Sequence, residues 1–208
     1  MIKAIHGLYA VTPDMDDTAA LAAKVAQAIT GGARFIQYRN KAASAKLRKQ
    51  QAQMLAKLCI ERAAALIVND HVELAREVAA AGVHIGAEDG TLAEARAVLG
   101  PGKLIGVSCY DKLELARAAQ SGGATYVAFG SFFPSQVKPG AVRATLPLLE
   151  EARRALTVPI VAIGGITPEN APQLVAAGAD AVAVITAVFG EPDVTTAASR
   201  FTQLFGRP

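Results

Sequence analysis

Eight short Val- and Ile-rich runs, each followed by an Ala-, Leu- and charge-rich stretch at helical spacing, predict a single-domain α/β protein, a (β/α)8 barrel of the TIM type. Length agrees: 208 residues suit one well-packed core and leave little room for two. The junctions agree too. AGVHIG, GGATYV and AGADAV each set a glycine between a helix end and the next strand, where a left-handed backbone costs glycine little.

The strands predicted in order are Gly7 to Thr12, Phe35 to Arg39, Ala65 to Asp70, Val83 to Gly86, Leu104 to Tyr110, Tyr126 to Ser131, Pro159 to Gly165 and Ala181 to Thr186. Helices fill the intervals. After the third strand, Val72, Leu74, Ala75, Val78 and Ala79 approximate an apolar helical face, with Glu73, Arg76 and Glu77 on the polar side. Asp16, Ser44 and Thr167-Pro168 resemble helix starts, since their side chains can cap free N–H groups and proline tolerates a first turn. A doubly wound open sheet is the competing architecture. It usually has fewer strands, and VTPDMDD after the first strand lacks the glycine pattern that cradles a dinucleotide.

Composition narrows the function classes. About half the residues are hydrophobic, 52%, but no apolar run approaches the roughly 18 residues that span a bilayer, so no membrane association is expected. The opening MIKAIHGLYAVTP has no basic flank, long apolar stretch or cleavage site, so no export signal is read and a cytoplasmic protein is expected. Cys59 and Cys109 make neither a disulfide framework nor a metal cluster. Net charge is only +3, with acids and bases interspersed, which disfavours nucleic acid. A local phosphate pocket stays open, because it needs only a few converging cations and N–H groups.

In a barrel, functional side chains gather just after the carboxyl ends of the strands. Gln37, Arg39 and Lys41 follow the second strand; Asn69 and Asp70 the third; Asp89 the fourth; Ser108 the fifth. Ser135, Lys138, Gly164-Gly165 and Thr186 come from later units. Strand alternation puts Gln37 and Arg39 on one side with Lys41 beyond them. A guanidinium fork, a compact ammonium and an amide at that spacing suit a diphosphate, the competing reading being cations that merely solvate a strand end.

Asp70 and Asp89 end neighbouring strands, so their carboxylates could share one hard cation, and magnesium (Mg2+) fits best because it combines one or two protein carboxylates with phosphate oxygens. Asp70 as a helix cap and Asp89 as a turn acid are the plainer alternatives. IGGIT and VITAV could cradle a monophosphate, or the glycines could only relieve crowding. SFFPSQVKPGA has the length and composition of a lid, and equally of a surface loop. Cys109 reads as a buried structural thiol, and His84 as either a rim filler or a substrate contact.

Taken together, QYRNK, IVNDHVELA, GVHIGAED, IGVSCY, FGSFFPSQVKPGA, AIGGI and AVAVITAV resemble the ordered motifs of thiamine-phosphate synthases across nearly the whole chain. That resemblance implies that Gln37, Tyr38, Arg39, Asn40, Lys41, Asn69, Ser108 and Lys138 bind 4-amino-5-hydroxymethyl-2-methylpyrimidine diphosphate, with Arg39, Lys41, Ser108 and Lys138 catalytic. It implies Asp70 and Asp89 as magnesium ligands. Ser135, Gln136, Val137, Gly165, Ile185 and Thr186 would bind 4-methyl-5-(2-phosphoethyl)thiazole or its carboxylated precursor. Val137 stands where the family often carries threonine, which removes a hydroxyl from the thiazole-phosphate contact. His71 stands where an acid or arginine is common. The implied chemistry is a magnesium-assisted dissociative substitution, and related enzymes make a homodimer plausible. A thiazole tautomerase on the same barrel and a non-catalytic phosphate-ligand sensor are the rival readings.

Overall fold

The structure is a computed structural model that describes residues 5–134, 140 and 142–206. Eight parallel strands close into a barrel in sequence order: β1 (Gly7–Val11), β2 (Phe35–Tyr38), β3 (Ala65–Asn69), β4 (Gly82–Ile85), β5 (Leu104–Tyr110), β6 (Tyr126–Phe129), β7 (Ile160–Ile163) and β8 (Ala181–Val184). β8 closes the ring by pairing with β1, Tyr9 opposite Ala183. The helices are α1 (Thr18–Thr30), α2 (Ala45–Glu61), α3 (Val72–Glu77), α4 (Leu92–Leu99), α5 (Leu113–Ser121), α6 (Leu146–Ala155), α7 (Ala171–Ala176), α8 (Thr186–Phe189) and α9 (Val194–Thr202).

Two hydrophobic cores follow from the alternation of strand side chains. Residues such as Leu8, Ala10, Ile36, Val68, Ile105 and Val182 point outward and pack under the helices. Tyr9, Val11, Phe35, Ile67, Tyr126, Val161 and Ala183 point inward and fill the barrel. Parallel strands buried on both faces therefore read as unbroken apolar runs, the signal that marks them in the sequence.

Most strands stop one or two residues short of their predicted ends, because the chain turns there to present its mouth residues. Asp70 takes φ of 63° directly after β3, and Gly164 takes φ of 105° after β7. β4 instead begins one residue early. Gly82 pairs with both Ile67 and Leu104, and a Cβ there would overlap the Leu104 carbonyl oxygen.

Helix starts shift for similarly local reasons. Asp17 rather than Asp16 caps α1, accepting from the amides of Ala19 and Ala20 at 2.8 and 3.0 Å. Ser44 caps α2 as predicted. Thr167 and Pro168 lie in a turn, and α7 begins only after Asn170, whose side-chain oxygen accepts from the Thr167 amide. In the α3 region Ala75 and Val78 are buried, whereas Ala79 has left the helix at φ 52° and is exposed.

Gly106 on β5 is required by its neighbour: it pairs with Tyr126, and a Cβ would overlap the tyrosine ring. Gly106→Ala is expected to lower unfolding free energy by about 1–3 kcal/mol, the scale of an overpacked core. Chemical denaturation checks this, and an unshifted midpoint would contradict it.

Candidate active site at the barrel mouth

One cavity of about 690 Å3 opens at the carboxyl ends of the strands. Its first wall is built by β2. Gln37, Arg39 and Lys41 all line the cavity, as period-two alternation predicts. The backbone at Arg39 is clasped by the buried Thr12 hydroxyl, which accepts from the Arg39 amide at 2.9 Å and donates to its carbonyl at 2.8 Å. Asp14 Oδ1 then accepts from Arg39 Nη1 at 3.2 Å and from the Lys41 amide at 2.8 Å. The strand end is thus held before any ligand arrives.

Facing this wall is an acidic pair. Asp70 Oδ2 lies 3.5 Å from Lys41 Nζ. Burial pushes the Asp70 carboxyl above its ordinary range, and the hydrogen-bonding contact and charge of Asp89 push the same way, against Lys41. Asp89 is oriented by its own loop, its Oδ2 accepting from the Gly86 amide at 2.8 Å. The helix-cap alternative for Asp70 fails, because α3 is preceded by His71 and has no side-chain cap. Two carboxylates forced together and partly desolvated form a donor pair suited to one hard divalent cation. Among the described residues no three His, Cys, Asp or Glu side chains cluster.

Beneath the mouth, polar side chains cross the barrel in an unbroken series. Gln37 Nε2 donates to the Tyr9 hydroxyl at 2.8 Å, and the hydroxyls of Tyr9 and Tyr126 are 2.9 Å apart. His84 Nδ1 lies 3.1 Å from the Tyr126 hydroxyl, and His84 Nε2 lies 2.9 Å from Ser108 Oγ. Val11, Ala128, Val161, Ile163 and Ala183 add apolar lining, alongside the polar Ser131, Thr167, Thr186 and Glu191.

The family model described as thiamine monophosphate synthase matches residues 8–188. The chain belongs to the thiamine monophosphate synthase family. A thiamine-phosphate synthase of Thioalkalivibrio sulfidiphilus is 51% identical over 202 residues, covering 97% of this chain and 96% of the relative. One from an Azoarcus species is 52% identical over 205 residues, covering 99% and 100%. Among solved structures, a thiamine phosphate pyrophosphorylase from Pyrococcus furiosus superposes with a TM-score of 0.84 at 34% identity, covering 96% of this chain and 95% of that one. A 3-hexulose-6-phosphate synthase, at 18% identity and a TM-score of 0.71, shares the fold alone.

Of the residues that resemblance to the family singled out, Gln37, Arg39, Lys41, Asn69, Asp70, Asp89, Ser108, Gly165, Ile185 and Thr186 line this one cavity. Tyr38 and Asn40 do not. Their side chains lie on the α2 side of β2, where the Tyr38 hydroxyl and Asn40 Nδ2 donate to Gln51 Oε1 at 2.8 and 3.0 Å. Ser135, Gln136, Val137 and Lys138, with the rest of the predicted lid at Pro139 and Ala141, lie outside the described residues. Gly164 and Gly165 relieve crowding, since Cβ atoms there would overlap Ser131 and the Pro134 carbonyl oxygen, and both line the cavity. Cys59 and Cys109 are buried free thiols pushed up to about 12 by burial. Thr12, Asp14, Tyr9, Tyr126 and Tyr110 contribute to the site or its support without having stood out in the sequence.

Burial pushes the His84 imidazole down to about 4 from 6.5, with the Asp89 charge opposing. The unfolded chain therefore takes up this proton first as pH falls. Stability from a neutral His84 is full above about pH 6.5 and is lost towards about pH 4, on the order of 3 kcal/mol across the window. Asp70, shifted upward by burial and by Asp89, works in the opposite sense. His84→Gln is expected to flatten the fall in unfolding free energy between about pH 7 and about pH 5, measured without metal. A variant as acid-sensitive as wild type would contradict this.

Proposed function

We propose that the protein couples 4-amino-5-hydroxymethyl-2-methylpyrimidine diphosphate with 4-methyl-5-(2-phosphoethyl)thiazole, or its carboxylated precursor, releasing thiamine phosphate and pyrophosphate. The observation that carries this reading is the meeting of Arg39 and Lys41 with the Asp70–Asp89 pair around one cavity in a chain of this family. A tautomerase would need neither the cationic wall nor the carboxylate pair.

Arg39 offers its planar fork to paired phosphoryl oxygens, and Lys41 adds a compact charge. Asn69 on β3 and Ser108 on β5 supply further polar contacts. Asp70 and Asp89 would hold one Mg2+, which supplies positive charge beside the departing diphosphate when bound. As the C–O bond to the pyrimidine methylene breaks, the electron pair leaves with pyrophosphate, whose charge Arg39 and Lys41 stabilise. The aminopyrimidine spreads the positive charge left behind, and the thiazole nitrogen captures the methylene. The apolar side chains of Val11, Ala128, Val161, Ile163 and Ala183 limit water near that carbon. Positioning and electrostatics account for the chemistry, so no covalent nucleophile is needed.

Gly165, Ile185 and Thr186, at the ends of β7 and β8, suit the thiazole phosphate. Ser135, Gln136, Val137 and Lys138 belong to the reading through family resemblance. So do the single catalytic domain, the homodimer and the cytoplasmic setting, the last in keeping with two cysteines held as buried thiols. Among the described residues no helix is long and apolar enough to cross a membrane.

The test mixes purified protein, both substrates and magnesium, and follows both products together. Thiamine phosphate and pyrophosphate rising in equal amounts would support the reading. Pyrimidine diphosphate binding without either product would favour a sensor, and turnover of the thiazole alone a tautomerase.

A further inference from the structure

The hydrogen-bonded series beneath the mouth has a direction. A hydroxyl carries one proton and a neutral imidazole carries one N–H, so when every member spends its proton within the series the first donor fixes every later one. Gln37 Nε2 donates to Tyr9, which leaves the Tyr9 proton for the Tyr126 oxygen. The Tyr126 proton then goes to His84 Nδ1, so the imidazole carries its own proton on Nε2, facing Ser108 Oγ. Ser108 thereby accepts from below, and its proton is left to point into the cavity it lines. The reverse wiring either leaves the Tyr9 proton without a protein acceptor among the described residues, or needs the Gln37 amide turned over, presenting –NH2 to a cavity already carrying Arg39 and Lys41.

The fold enforces the middle of this chain. Tyr126 and His84 stack with ring centroids 5.6 Å apart, and Tyr9 meets Tyr126 edge-on at 6.0 Å. Tyr126 is 1% exposed and lines no part of the cavity, and Gly106 leaves the room its ring occupies. Two tyrosine hydroxyls and an imidazole buried inside a barrel are costly unless each is satisfied, and here each satisfies the next. The chain ends at Ser108, the one member of the series whose hydroxyl keeps its proton for the cavity.

We propose that Tyr126 is a positioning residue: through His84, held as its Nε2–H tautomer, it makes the Ser108 hydroxyl a fixed donor aimed at the bound pyrimidine diphosphate. This deepens the proposed coupling reaction and rests on it for the identity of the ligand. The wiring itself is a property of the free protein.

The first measurement is the imidazole 15N spectrum of the ligand-free wild-type protein, which has three histidines and is assigned with His6→Gln and His71→Gln. Protonated Nε2 with bare Nδ1 at His84 is expected, and the opposite tautomer overturns the proposal even if every variant misfolds. The second is kinetic. Tyr126→Phe keeps the ring and deletes the link, and should lower kcat/KM for the pyrimidine diphosphate about tenfold, the scale of one hydrogen bond, with KM for the thiazole phosphate unchanged. Ser108→Ala with Tyr126→Phe should then be no worse than Ser108→Ala alone. Additive losses, or equal losses for both substrates, would mean that Tyr126 merely supports the fold and would overturn the proposal. Absence of coupling by wild type would instead overturn the functional reading, since the tautomer is measured without substrate.

Discussion

Arg39→Ala is expected to reduce kcat/KM for the pyrimidine diphosphate on the order of a thousandfold, the upper range for removing one preorganised donor from a developing anion. Among the described residues, the fold prepares this side chain more thoroughly than Lys41, the other cation lining the cavity. Thr12 clasps its backbone on both sides, and Asp14 steadies its guanidinium, whose side chain is 18% exposed. Little reorganisation remains when the diphosphate departs. The Arg39–Asp14 pair is partly solvated, so its loss should cost less than about 1 kcal/mol of stability. Activity and folding are thereby separable. Arg39→Lys should recover only part of the loss, because a point charge cannot form the parallel pair of bonds. Steady-state kinetics at saturating thiazole phosphate, with the denaturation midpoint measured alongside, decide it; an Arg39→Ala enzyme within about tenfold of wild type would contradict the assigned role.

The mouth was readable because two simple rules intersect there. Period-two alternation sends Gln37 and Arg39 to the same side, and barrel architecture places strand ends around one opening. The same alternation takes Tyr38 away from the cavity, a consequence hidden when QYRNK is treated as one motif. Asn40 is harder to anticipate, since its direction depends on the Gln51 side chain and the Met15 carbonyl. Tyr9 and Tyr126 gave no polar signal at all. Within LYAV and TYVAF each reads as another apolar strand residue, and the contact that reveals its hydroxyl joins positions 117 apart. Sequence patterns report local period and composition; a cross-barrel hydrogen bond depends on closure and register. Glycines show the same limit. Gly106 looks like a weak point in a strand until Tyr126 is seen to occupy the space beside it.

Asp70→Asn is expected to move function and stability in opposite directions. Its φ of 63° lies in the left-handed region, which asparagine tolerates better than most residues, so the substitution keeps the backbone while removing charge. Without metal, Asp70 is disfavoured by burial and by Asp89, and Lys41 offsets this only through a contact whose lysine side is 62% exposed. The neutral amide should therefore raise unfolding free energy in a chelator at neutral pH by up to about 1 kcal/mol. With Mg2+ and pyrophosphate the order reverses. A direct carboxylate ligand is lost, and the magnesium concentration supporting half-maximal turnover should rise by more than the roughly 10–100-fold typical of an outer-shell defect. Calorimetric titration of Mg2+ in the presence of pyrophosphate, paired with chemical denaturation in chelator, reads both effects. A residue that merely braced the β3 turn would lower stability and activity together on substitution. Unchanged magnesium dependence would remove Asp70 from the metal site whatever its stability. Opposed signs follow only where the protein holds two acids closer than they would choose, ready for a cation that relieves them.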